Sequence, residues 1–140
     1  MSERTFTLEI VTPDRVVMSD DKVVSLVVPG VEGYFGVMAG HAPLISEITI
    51  GEITVRHADG STVHIACAHG FIEVSENKAS VLSYAAERAE EIDVERAREA
   101  ARRAEERLAE AGGEGEVDHA RAEAALKRAL NRLRVAEKSI

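Results

Sequence analysis

Four arginines and one aspartate in the second half of the chain have the types and spacing to do chemistry. Arg96 and Arg103 lie seven residues apart, and Arg128 and Arg132 lie four apart. Each pair therefore shares one face of a helix. In an antiparallel helical hairpin the four guanidinium groups could converge beside Asp93 into a basic pocket. Spacing alone favours a plainer alternative, a solvated face carrying i,i+4 ion pairs such as Glu99–Arg103. Either way the chemistry would be binding and not hydrolysis. The chain has no Gly-x-x-x-x-Gly-Lys-Ser/Thr phosphate loop.

The remaining chemical candidates are weaker. His41, His57, His64, His69 and His119 are scattered, without the carboxylate–histidine spacing of a metal site. No nucleophile-elbow pattern appears. Cys67, the single cysteine, lies between Ile65 and Phe71 and reads as a core residue, which excludes an intrachain disulfide. Gly33, Gly36 and Gly40 read as turn glycines, because no helix signal follows them. The residues among them, Tyr34, Phe35, Val37 and Met38, would form an exposed apolar patch if unburied. Such a patch is a candidate partner surface.

Two kinds of element must position these groups. Residues 1–86 read as short strands. Phe6, Leu8 and Ile10 alternate with Thr7 and Glu9, and Arg15–Met18 and Lys22–Val28 are two β-branched runs. Ile48/Ile50, Ile53/Val55, Val63/Ile65/Cys67, Phe71/Ile72/Val74 and Ala79–Tyr84 follow, with a two-residue hairpin turn expected at Asp59-Gly60. Strands at this spacing predict an antiparallel β-sandwich or flattened barrel. Residues 87–140 read as two helices. Asp93 is the expected N-cap of the first, and Val94, Ala97, Ala101, Ala104, Leu108 and Ala111 form its apolar stripe. Gly112–Gly115 breaks the pattern. Asp118 is the expected cap of the second helix, whose seam is Ala122, Ala125, Leu126, Ala129, Leu130, Leu133 and Ala136. Two alanine-rich seams predict a close antiparallel hairpin.

Composition narrows the classes. The 140 residues carry a formal net charge of −8. That argues against counterion-driven nucleic-acid binding and against adsorption to anionic lipid. Residues 1–86 hold five basic against eleven acidic side chains, and residues 87–140 twelve against fourteen. The second half is thus charge-dense but nearly balanced, as expected of solvated helices. No apolar run approaches the roughly 18–20 residues that span a bilayer. Met1-Ser2-Glu3-Arg4-Thr5 lacks the layout of a signal peptide.

Several stretches together resemble the epsilon subunits of bacterial F-type ATP synthases. They are Ile10-Val11-Thr12-Pro13-Asp14, Gly70-Phe71-Ile72-Glu73-Val74, the run from Ala86 to Ala97, and Leu126-Lys127-Arg128-Ala129-Leu130-Asn131-Arg132-Leu133. Gly33 to Leu44 resembles that family's Gly-x-x-Gly-x-x-Pro-Gly-His-x-Pro-Leu segment, with Ala39 in place of its Pro and Tyr34 where Glu is frequent. The resemblance runs along essentially the whole chain. It implies a non-catalytic rotor subunit at the cytoplasmic side of the bacterial plasma membrane, peripheral to it. Residues 1–86 would bind the gamma subunit and the c-subunit ring through the Tyr34, Phe35, Val37, Met38 and His41 region. Residues 87–140 would either fold as a hairpin or extend to the alpha and beta subunits and inhibit ATP hydrolysis. It also implies ATP as a regulatory ligand of the folded hairpin, with Glu87, Ile92, Asp93, Arg96, Ala97, Arg103, Arg128 and Arg132 at the family's nucleotide positions. No residues are assigned to Mg²⁺. The rival readings are a structural coupling subunit that never senses nucleotide, and a stand-alone nucleotide hydrolase, which the missing phosphate loop opposes.

Overall fold

Strand β2, Val16–Gly30, crosses the whole β unit and pairs with four other strands. The computed structural model describes residues 4–110 and 116–139. The chain divides after Arg88 into a β unit and a helical unit. The sequence suggested two runs, Arg15–Met18 and Lys22–Val28, separated by Ser19-Asp20-Asp21. They are one strand. The register slips between the pairs Phe6↔Val23 and Leu8↔Asp20, and again between Val23↔His57 and Ser25↔Arg56. Extra residues of this kind bend a strand without ending it. The polar triplet is therefore accommodated at a bend, where β2 leaves β1 for β5.

The other strands are β1 (Phe6–Val11), β3 (Gly33–Met38), β4 (Leu44–Ile48), β5 (Gly51–His57), β6 (Thr62–Cys67), β7 (Gly70–Ser75), β8 (Lys78–Ser83) and β9 (Ala86–Arg88). Their order is β1-β8-β7-β4-β2-β5-β6-β9, with β3 on β2 and β1 also on β2. The result is a flattened sandwich. One pairing departs from the antiparallel expectation, because β1 runs parallel to β8 from Thr7↔Lys78 to Val11↔Leu82. Period-two alternation buries Phe6, Leu8, Ile10, Leu26, Val28, Ile53, Val55, Ile65, Ile72 and Val81 in one core. Cys67 lies in that core, and burial pushes its thiol up to about 12, so the thiolate needed for reactivity is suppressed at neutral pH.

Two hairpin turns carry positive φ, in different ways. Glu76 (φ 50) and Asn77 (φ 61) form a two-residue turn between Ser75 and Lys78, both in the left-handed region that a type I′ turn requires. At Asp59-Gly60 the expected two-residue turn is a three-residue loop. The Gly60 N–H donates to the His57 carbonyl, the His57 N–H donates to the Ser61 carbonyl, and only Gly60 (φ 92) turns left-handed. This is a tight turn closed by a glycine bulge. Asp59 Oδ1 accepts from the Ser61 N–H at 2.8 Å, which favours that longer form.

Ala86-Glu87-Arg88 extends the β unit two residues past the expected boundary. β9 pairs with β6 through Cys67↔Ala86 and Ile65↔Arg88. Arg88 Nε and Nη2 both donate to the Val17 carbonyl, at 3.2 and 2.9 Å. Glu87 is thus a strand residue of the β unit and not the start of the helical arm.

The helical unit opens with a 3₁₀ turn, Ala89–Glu91, followed by α1 (Val94–Glu110), α2 (Glu116–Ala136) and a second 3₁₀ turn, Glu137–Ser139. The two 3₁₀ turns touch each other, and the first touches α2, so the helices run antiparallel. Ala97, Ala101 and Ala104 are buried on α1, and Ala122, Ala129 and Ala136 on α2. Two expectations are corrected. Leu130 is 42% exposed, while Asn131 and Val135 are buried in its stead. Apolar residues recur so densely along α2 that the sequence leaves its rotation undetermined. Asp118 lies inside the first turn of α2, which begins at Glu116. It complements the helix dipole there and is not the cap. The Gly112–Gly115 break and Ala111 lie outside the described residues.

At the bend of β2, the His57 Nδ1–H donates to Asp20 Oδ2 at 2.5 Å. This bond, first among its causes, holds the Asp20 carboxyl below its ordinary 3.8. A carboxylate with a depressed pKa stabilises the fold above its unfolded pKa, and loses that contribution as pH falls through the folded one. Asp20→Asn should lower unfolding free energy by about 1 kcal/mol at pH 7. The gap to the parent should narrow as pH falls below about 4, measured by urea denaturation across pH.

Candidate functional site

Each arm of the hairpin positions its charged groups by a local rule. Asp93 is the N-cap of α1: its Oδ1 accepts from the Arg96 N–H at 3.1 Å, and its carbonyl accepts from the Ala97 N–H at 3.0 Å. Ile92 and Ala97 are buried around it, while Arg96 emerges exposed in the first turn. Further along α1, Glu95 pairs with Arg98 at 2.5 Å, and Glu99 and Glu106 both hold Arg102, at 2.7 and 3.2 Å. The expected Glu99–Arg103 pair does not form, because Glu99 turns to Arg102 one residue nearer. Arg103 is exposed.

On α2, Arg128 is exposed and Arg132 half-buried. Arg128 lines an open cleft of about 640 Å³ with Arg107, Arg121, Glu110 and Asp118, over a floor of Ala122 and Ala125. Three guanidinium groups and two carboxylates therefore face one concavity between the arms. Such a set offers bidentate donors to a polyanion. The sequence reading missed Arg107 and Arg121. Their signal was available, since Arg121 lies seven residues before Arg128, on the same helix face.

Of the expected nucleotide residues, that cleft takes in Arg128, while Asp93, Arg96 and Ala97 lie at the opposite end of α1. Asp93 stands fourteen residues before Arg107, about 21 Å along α1. Arg132 lies toward the Asp93 end and Arg128 toward the cleft. Arg103 does not line that cleft, and Glu87 belongs to the β unit.

The β unit has two surface features of its own. On β3, Tyr34 and Met38 are each 59% exposed, Phe35 is half-buried against the core, and Val37 is 1% exposed. Val37 is therefore removed from the expected partner surface, because strand alternation turns it inward. The Tyr34 hydroxyl accepts from the Glu52 N–H at 3.0 Å. His41, with Val31, Glu32, Phe35, Ile45 and Glu47, lines a cleft of about 530 Å³. The second feature was not foreseen. Phe71, Leu82 and Tyr84 are exposed around an apolar hollow of about 220 Å³, completed by Val11 and Pro13. Leu82 is the cross-strand partner of both Phe71 and Val11. The signal lay in Phe71-Ile72-Glu73-Val74: if Ile72 and Val74 face inward, Phe71 must face water. Among the described residues no cluster of three or more metal-ligating side chains occurs, and no helix is long and apolar enough to cross a membrane.

A β-sandwich with exposed apolar side chains is followed by an alanine-seamed helical hairpin. Residues 5–89 match the family model described as the beta-sandwich domain of the ATP synthase Delta/Epsilon chain, and residues 90–137 match its long alpha-helix domain. The chain belongs to the ATP synthase delta/epsilon chain family, as a non-catalytic subunit. It is 51% identical over 133 residues to an ATP synthase epsilon chain of Nitratidesulfovibrio vulgaris, covering 95% of this chain and 96% of the relative. It is 44% identical to that of Syntrophomonas wolfei over the full length of both. Its fold is similar to a chain in the mitochondrial ATP synthase OSCP/F1/c-ring structure of Euglena gracilis. The TM-score is 0.76 at 22% identity, over 88% of this chain and 76% of that one.

The capping geometry yields a test. Asp93→Ala should cost about 1 kcal/mol of hairpin stability, whereas Asp93→Asn should cost only a few tenths. Hydrogen exchange at the Arg96 amide reads the difference directly, and equal effects of the two substitutions would contradict the capping role.

Proposed function

We propose that this chain works in the central stalk of the rotary ATP synthase, peripheral to the membrane on its cytoplasmic side. In this reading the β unit docks on rotor partners, and the helical unit is a ligand-biased regulatory arm. The exposed Phe71, Leu82 and Tyr84 support docking on the gamma subunit, because an apolar hollow of this kind suits a lasting protein contact. Tyr34 and Met38, on the outward face of β3, and His41, in the turn after it, suit the contact with the c-subunit ring.

The observation that carries the regulatory reading is the seam of the hairpin. Its helix contacts are built on Ala97, Ala101, Ala104, Ala122, Ala129 and Ala136. Apolar burial contributes roughly 25 cal/mol per Å², so an alanine seam gains far less than a leucine one. A ligand bound only by the folded hairpin adds RT ln(1+[L]/Kd), about 2.7 kcal/mol at a hundredfold excess over Kd. A contribution of that size is enough to redistribute a marginal two-state arm. The helices have 17 and 21 residues, or about 25 and 31 Å. Opened end to end, they would give the arm roughly twice its folded reach, toward the alpha and beta subunits. The ligand is ATP, with Arg96, Arg103, Arg128 and Arg132 as candidate phosphate contacts and Ile92, Asp93, Ala97 and Glu87 as candidates for the nucleoside end. Arg107 and Arg121 join the phosphate candidates through their shared cleft with Arg128.

Calorimetric titration of ATP into the isolated chain tests this reading. Saturable binding is expected, weakened at least about tenfold in an Arg103→Ala, Arg128→Ala double variant. Absence of binding up to millimolar ATP would remove the sensor role and leave a coupling subunit governed by its partners.

A further inference from the structure

The turn after β3 is exposed, yet it is tied down by a side chain 37 residues away. The Met38 carbonyl accepts from the His41 N–H at 3.1 Å, and Gly40 between them has φ 80. A positive φ at the third position is the mark of a type II turn. The Gly40 N–H donates to Asn77 Oδ1 at 2.9 Å. Asn77 Nδ2 donates in turn to the Thr5 carbonyl at 3.0 Å, and the Asn77 carbonyl accepts from the Thr7 N–H at 3.1 Å. One residue therefore joins the β7–β8 hairpin, the entry to β1 and the Met38–His41 turn. The Arg4 guanidinium lies over the same turn, with Nη2 3.2 Å from where a Cβ on Gly40 would sit.

The residue type is closely specified. Position 77 has φ 61, which Asn, Asp and Gly tolerate best. The Gly40 amide needs an acceptor and the Thr5 carbonyl needs a donor. Of the three, only Asn offers both.

We propose that Asn77 is a positioning residue, which clamps the Met38–His41 turn and thereby sets how Met38 and His41 are presented to the rotor. The inference rests on the reading of that turn as a rotor contact. Without the clamp, Met38 and His41 would sample many orientations, and the partner would have to order them on docking.

The test uses Asn77→Gly, Asn77→Asp and Met38→Ala, each as the free full-length chain and within the assembled synthase. Asn77→Gly keeps the left-handed backbone but loses both side-chain bonds. It should speed exchange of the Gly40 amide about five- to tenfold, as loss of one hydrogen bond implies, while the Ile65 and Val81 amides stay unchanged. In the synthase it should lower proton pumping per ATP hydrolysed without lowering the amount of chain incorporated. Asn77→Asp keeps the acceptor for the Gly40 amide but offers no donor to the Thr5 carbonyl, and should recover Gly40 protection and pumping in part. Unchanged Gly40 exchange in Asn77→Gly would overturn the clamp. Faster exchange with normal pumping would overturn the positioning role if Met38→Ala impairs pumping. Normal pumping in Met38→Ala as well would instead remove the docking reading, and the positioning role with it.

Discussion

The β unit depends on one strand serving two layers. β2 pairs first with β1 and then with β5, β3 and β4, so the two faces of the sandwich share a single backbone. A straight strand of fifteen residues could not turn between layers and keep its apolar residues inward. The two register slips near Val23 supply the bend, and β-bulges increase local twist as well. The polar Ser19-Asp20-Asp21 stretch falls at the bend, where Asp20 is held by His57 from β5. Core packing of Leu8, Leu26, Ile53 and Ile65 follows from that shared strand.

The helical unit is built on different terms. Among the described residues its buried positions are mostly alanines, with Ile92, Val135 and Asn131 the larger exceptions. Replacing a leucine by alanine at a buried seam position removes three carbons, at about 0.8 kcal/mol each. The β unit buries whole Ile, Leu and Val side chains. The chain thus pairs a firmly packed body with a lightly held arm, and Arg88 and β9 keep the end of the body fixed where the arm begins. That asymmetry is the physical basis for reading the body as the docking part and the arm as the responsive part. The charged groups follow the same division. The arm's ion pairs Glu95–Arg98 and Glu99–Arg102 are exposed and contribute little to stability.

Much of this was legible in the sequence, and the exceptions have physical causes. Alternation exposed the core of β1, β5, β6 and β7, because period two is unambiguous when one face is buried. The Asp93 cap was legible because a carboxylate before an apolar helical stripe has few other uses. The continuity of β2 was not, since a bulge leaves no period that a sequence can show. Neither was β3, where glycines at 33 and 36 suggested turns, and so Val37 was taken for a surface residue. The rotation of α2 was hidden by its many alanines and leucines. The clamp by Asn77 was invisible because it joins residues far apart in the chain, which only the fold brings together.

Native-state hydrogen exchange of the whole chain, with and without ATP, distinguishes a lightly held hairpin from a firmly packed one. The Ala101 and Ala129 amides should exchange through an opening of lower free energy than the Leu26 and Ile65 amides. ATP should slow the first pair and leave the second unchanged. Exchange of all four at one common free energy, unaffected by ATP, would contradict this and make the hairpin as firmly built as the sandwich.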